Sequence, residues 1–163
     1  HTRRFENDEM VRQELAQSVG LSDVMLDDID AVFYVGGHGP LWDLHNDALS
    51  IALIERFVAS QRYVASVCHA PAVLLQAKLP NGAPLVKGKR VTSFSNTEED
   101  AVGLSSMVPY LLEDALRAKG ALYEKAEDWQ PFVCVDDYLI TGQNPASSRL
   151  VAQKLIECVS HRH

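Results

Sequence analysis

Cys68 and His69 stand side by side where an apolar run, Tyr63-Val64-Ala65-Ser66-Val67, meets a segment opening on Ala70-Pro71. A thiol and an imidazole are the parts of a nucleophile and its base. A short buried strand running straight into a helix over residues 70–77, with Pro in its first turn, forces a tight bend. Cys68 falls on that bend. Such a bend lifts a side chain clear of the sheet and aims N–H groups of the helix start at whatever binds there. A helix start also favours thiolate over thiol, so the sequence predicts an ionised, accessible sulfur. A solitary cysteine is ordinarily a buried small hydrophobe. The bend and the adjacent imidazole turn the reading toward catalysis.

Three other stretches carry chemistry. Residues 30–35 are an unbroken apolar run, as in a parallel strand buried on both faces, and end in Gly36-Gly37-His38-Gly39-Pro40. Paired glycines permit close backbone approach, so Gly36, Gly37 and His38 are expected to line an anion-stabilising loop. The loop carries neither GxxxxGK[ST] nor GxGxxG and is not a phosphate loop. Lys89-Arg90-Val91-Thr92-Ser93-Phe94 predicts a strand leading into Ser95-Asn96-Thr97-Glu98-Glu99-Asp100. Taken by themselves, Glu98 and Glu99 are acids suited to the first turn of a helix. Gly142-Gln143-Asn144-Pro145 leads into a final helix over residues 148–159. His38 is expected to contact substrate and His45 to face solvent; Trp42 is either a pocket wall or ordinary packing.

These pieces need a scaffold. Helical spacing is read over residues 6–19, 47–60 and 108–119, and strands over residues 121–125 and, as a hairpin, 132–141. Helix and strand alternate, which means a mainly parallel sheet with helices on both faces. Ligands in such α/β folds bind outside the carboxyl ends of the strands. The Gly36-Gly37 loop, the Cys68 bend, the Glu99 loop and the Asn144 loop should gather there.

The totals narrow the classes. The chain has 163 residues, enough for one domain with a real core, and is 47% hydrophobic. A net charge of −7, with no basic cluster longer than Lys87-Gly88-Lys89-Arg90, argues against nucleic acid. The apolar runs are too short to span a bilayer, and the first residues lack the apolar core of a signal peptide. Three scattered cysteines, Cys68, Cys134 and Cys158, argue against a disulfide framework and for a reducing, cytoplasmic setting. There is no CxxC, and the cysteines and histidines do not take the spacing of a structural zinc site, so none is expected. The chain opens on polar residues with no strand before its first helix, and an upstream piece is expected to exist.

Taken together, these stretches resemble the ThiJ/PfpI superfamily of flavodoxin-like, three-layer α/β proteins. Within it the likeness is to the branch of heat-shock-type chaperones that are glutathione-independent glyoxalases. The residues that carry it are 30–39, Val67-Cys68-His69-Ala70-Pro71, 88–94 and Thr141-Gly142-Gln143-Asn144-Pro145-Ala146-Ser147. The resemblance implies a single domain over residues 1–163 that lacks its first, middle strand. It implies Cys68 as nucleophile, His69 as its imidazole partner and Glu99, rather than Glu98, as the orienting carboxylate. Oxyanion donors would be backbone N–H groups near Gly37 and at His69, with Asn144 also facing substrate. A further family glutamate, which joins in proton transfer, has no counterpart after His1.

The implied activity converts a small reactive aldehyde, methylglyoxal, to D-lactate with no cofactor and no metal, in a chain expected to form a homodimer. The rival readings are a holdase chaperone, a protein deglycase or a thiol sensor, the last needing a low-pKa thiol. An amidase has less support, because after His69 only His161 and His163 follow, and a peptidase would need a wide cleft that the sequence does not show.

Overall fold

Ala31-Val32-Phe33-Tyr34 and Tyr63-Val64-Ala65-Ser66-Val67 are rich in β-branched and aromatic residues, which suit a pleated, buried surface. In the computed structural model, which describes residues 2–161, they are strands β1 (Ala31–Tyr34) and β2 (Tyr63–Val67). They pair in parallel, with Ala31 opposite Tyr63 and Tyr34 opposite Ser66. The 12-residue helix α3 (Ala48–Ala59) makes the crossover between them, its N-terminus capped by the Asp47 carboxylate on the Ser50 N–H at 2.7 Å. A parallel pair needs such a crossover.

The C-terminal hairpin is present. Strand β5 (Val133–Asp136) turns through Asp137, which has a φ of 49°, into β6 (Leu139–Gly142). These two run antiparallel, and β6 lies parallel to β2, so the sheet order is β1-β2-β6-β5. A separate parallel pair, β3 (Arg90–Val91) and β4 (Leu122–Tyr123), stands beside β5 and is tied to the hairpin by Arg90 N–H on Asp136 and Thr92 N–H on Thr141. This is the mainly parallel α/β sheet that the alternation of elements predicts, and the flavodoxin-like architecture that the resemblance implies. The helix α6 (Ser148–Ser160) packs on β2 and β6. Gly142 allows this close approach, since a Cβ there would lie 2.4 Å from Val151 Cγ2.

Several expected elements are shorter or divided. The helix read over residues 6–19 is two, α1 (Thr2–Glu6) and α2 (Glu9–Ala16), because Asp8 caps the second. The helix expected over residues 108–119 begins later, as α5 (Leu112–Ala118), after a turn through Pro109. The segment after the cysteine is no α-helix but a five-residue 3-10 turn, Ala70–Leu74. Among the described residues, β1 has a strand partner on one side only. Buried Leu53, Ile54, Phe57, Val64, Val73 and Leu116 anchor the larger of two apolar clusters.

Candidate active site

Cys68 follows directly on β2, in the turn, with a φ of 64°, a left-handed conformation that non-glycine residues seldom adopt. Two backbone hydrogen bonds hold it there. Its N–H donates to the Gly142 carbonyl at 2.9 Å, and its own carbonyl accepts from the Phe94 N–H at 2.8 Å. Gly36 lies so close that a Cβ on it would sit 2.9 Å from the Cys68 Cβ. The backbone N–H groups of Gly37 and His69 point at the sulfur.

From the sulfur a relay runs inward. Cys68 Sγ is 3.3 Å from His69 Nδ1, and His69 Nε2 is 2.6 Å from Glu99 Oε2. Because the carboxylate accepts, the Nε2 carries the proton and Nδ1 is left as an acceptor facing the thiol. Helix α4 (Asn96–Ala101) presents Glu99, and Ser95 starts that helix with a reciprocal capping box to Glu98. His38 closes the set: its Nε2 lies 3.1 Å from the other Glu99 oxygen, and its ring stacks on His69 with centroids 3.8 Å apart.

The electrostatics correct one expectation. Cys68 is 6% exposed, and burial, opposed in part by the Gly37 and His69 N–H groups, pushes its thiol up to about 11. Glu98 and Glu99 push in the same direction as burial. The sulfur is therefore a protonated thiol at neutral pH rather than a standing thiolate. A 3-10 turn of five residues replaces the helix start that was expected to hold the negative charge. Burial also lowers the pKa of His69, against the upward pull of Glu99, so the imidazole is a neutral base. A neutral thiol, a neutral base and an anion form a set in which the proton leaves as the sulfur attacks.

Asn144 is placed elsewhere than the sequence suggests. It is fully buried, and its amide donates to Glu98 Oε1 at 2.8 Å and to the Gln130 carbonyl at 2.9 Å, while its Oδ1 caps Ser147. Both amide protons are used within the scaffold. Glu98 is the residue that sequence reasoning undervalued. Its side chain is fully buried and accepts from Ser95 N–H and Oγ–H, Trp129 N–H, Gln143 and Asn144. The Ser95-x-x-Glu98 spacing is a capping-box signal, but nothing local to it announces the donors from Trp129, Gln143 and Asn144. Phe94 and Trp129 were also missed: Phe94 contacts the His69 ring at 4.4 Å, and Trp129 meets Phe94 at 5.7 Å. Trp42 is more than half exposed, and His45, rather than facing solvent, is half-buried edge-on against Tyr110. His161 caps the end of α6, and His163 lies outside the described residues.

The ligating atoms of His38, His69 and Glu99 fall within 4.8 Å of one another, a donor set a divalent transition metal accepts. The two rings, however, are stacked and each directs a nitrogen at the carboxylate. Metal ligands fan around a common centre; this arrangement favours shared protons.

The chain belongs to the DJ-1/PfpI family, whose model matches residues 7–158. It is 33% identical over 142 residues to glyoxalase 3 of Candida albicans, a match covering 83% of this chain and 60% of that protein. It is 30% identical over 166 residues to the glutathione-independent glyoxalase HSP31 of Saccharomyces cerevisiae, covering 96% of this chain and 69% of that one. Among solved structures, the Francisella tularensis Rapid Encystment Protein of 24 kDa superposes with a TM-score of 0.91 at 36% identity, covering 96% of this chain and 70% of the other. Glyoxalase III from Candida albicans superposes with a TM-score of 0.85 at 29% identity, covering 93% and 65%.

Proposed function

We propose that the protein is a glutathione-independent glyoxalase that converts methylglyoxal to D-lactate. The observation that carries this reading is the unbroken relay Cys68 Sγ, His69 Nδ1, His69 Nε2, Glu99 Oε2, at 3.3 and 2.6 Å. It is supported by the likeness to proteins named glyoxalase in two yeasts.

In the first step His69 Nδ1 takes the thiol proton as Sγ forms a bond to the aldehyde carbon. The N–H groups of Gly37 and His69 neighbour the sulfur, and they are the donors that would turn to the oxyanion as it develops. The oxygen takes the proton back, giving a hemithioacetal. A proton then moves from C1 to C2 through an enediol, with His69 as one carrier beside the further glutamate that the resemblance implies, leaving a thioester. Water adds to its carbonyl, the C–S bond breaks, and lactate leaves with the thiol restored. One water is consumed and no oxidant or reductant is required. During each transfer Glu99 supports the imidazolium that forms.

The test is incubation of the full-length protein with methylglyoxal, without glutathione, and an assay specific for D-lactate. Production is expected in the wild type and its loss in Cys68→Ala. Undiminished production by Cys68→Ala would sink the assignment. The thiol-sensor alternative loses support from the raised thiol pKa, because a sensor depends on a standing thiolate.

A further inference from the structure

His38 sits on the loop that follows β1, one residue after Gly37, at the start of a short 3-10 turn (Gly39–Leu41). Its side chain is 36% exposed, whereas those of His69 and Glu99 are 1% and 5% exposed. The Glu99 carboxylate is thus held by two imidazoles, one on each oxygen: His69 at 2.6 Å and His38 at 3.1 Å. The His38 ring also covers the face of the His69 ring, with an interplanar angle of 33°. The Phe94 ring contacts both, at 4.4 Å from His69 and 6.3 Å from His38. A carboxylate held by one bond can swing about its terminal torsion, whose well is broad. A carboxylate held on both oxygens cannot.

We propose that His38 is a positioning residue: it fixes Glu99 through Oε1 so that Oε2 stays aimed at His69, and in doing so straps the Gly36-Gly37 loop to α4. Two parts of the site then depend on one bond. The orientation of the base depends on it through Glu99. The Gly37 N–H that faces the sulfur depends on it through the chain, since Gly37, with a φ of 118°, lies between Gly36, which packs against Cys68, and His38 itself. His38 acts through these neighbours rather than by touching the aldehyde.

The test compares His38→Ala with His38→Gln in the full-length protein. Glutamine keeps an N–H donor able to meet Glu99 but has no imidazole. Two readouts are taken: D-lactate production, separated into kcat and KM, and the rate at which iodoacetamide alkylates Cys68 at neutral pH. The second needs no substrate and stands apart from the glyoxalase reading on which the first rests. His38→Ala is expected to lower kcat and the alkylation rate by about tenfold to a hundredfold, the penalty of a misplaced catalytic group, with KM little moved. His38→Gln is expected to restore most of both. Thermal melts of the two variants within a few degrees of wild type are expected because His38 is partly exposed. Alkylation of His38→Ala at the wild-type rate would overturn the proposal. So would a variant pair in which KM rises and kcat holds, since that marks a substrate contact. Absence of D-lactate from every form, with alkylation slowed in His38→Ala and rescued in His38→Gln, would uphold His38 while removing the glyoxalase reading.

Discussion

At the scale of single residues, the resting site holds its sulfur protonated. With the Cys68 thiol raised to about 11, the thiolate fraction at pH 7 is about one part in ten thousand. Charge on the sulfur is disfavoured by burial and by two carboxylates, so the anion accumulates only as pH rises. Alkylation of Cys68 by iodoacetamide should therefore climb about tenfold per pH unit until about pH 11, in a Cys158→Ser background read by peptide mass. A plateau below about pH 8 would contradict this. Glu99→Gln keeps an acceptor near His69 but removes the charge that supports the imidazolium, and kcat should fall by about a hundredfold to ten-thousandfold with KM little changed. Cys68 and His69 stood out in the sequence because a bend after a strand is a local signal, whereas Glu99 was separated from Glu98 only by the family resemblance, since an acid in a first helical turn is by itself ordinary. The protonation state was not legible. It depends on the burial of Cys68 in a cluster with Ala65, Val67, Phe94, Ile140 and Val151, residues far apart in the chain.

At the scale of elements, Glu98 joins segments that the sequence leaves unconnected. One carboxylate draws together the start of α4, the loop at Trp129, the end of β6 and the turn at Asn144. Glu98→Ala would leave five donors without this acceptor, each a buried or half-buried loss. A destabilisation of at least about 3 kcal/mol is expected from the urea midpoint. Ser95→Ala, which removes only the cap, should cost about 1 kcal/mol. If the two variants cost the same, Glu98 is only a helix cap. The order of the elements follows from the alternation of helix and strand, because a period of two or of 3.6 is written locally. The extents were less legible. Strand β3 pairs over only Arg90 and Val91, since Thr92 and Thr141 already divert the chain toward α4, and α5 starts late because Pro109 cannot sit inside it.

At the scale of the whole molecule, the sheet is unequal across its width. Strand β2 is paired on both sides and nearly all buried, while β1 is paired on one side only among the described residues. Beside β1 lies an apolar cavity of about 230 Å³ lined by Leu21, Val24, Leu26, Ile29, Leu53 and Phe57. Amides on the outward side of β1 should exchange with deuterium well ahead of those of β2 and β6, because they lack a ladder partner. Equal protection across β1 and β2 would mean that something covers the edge in solution.

Cys68 owes its position to the sheet itself. Its N–H is held by the end of β6 and its carbonyl by Phe94, so the sulfur is carried by the framework and not by a loop that moves on its own. Inactivation by urea should then follow the same curve as the change in tryptophan fluorescence from Trp42 and Trp129, with no range of denaturant in which a folded but inert protein accumulates. Activity lost at lower urea than the fluorescence change would show that the sulfur's surroundings melt first.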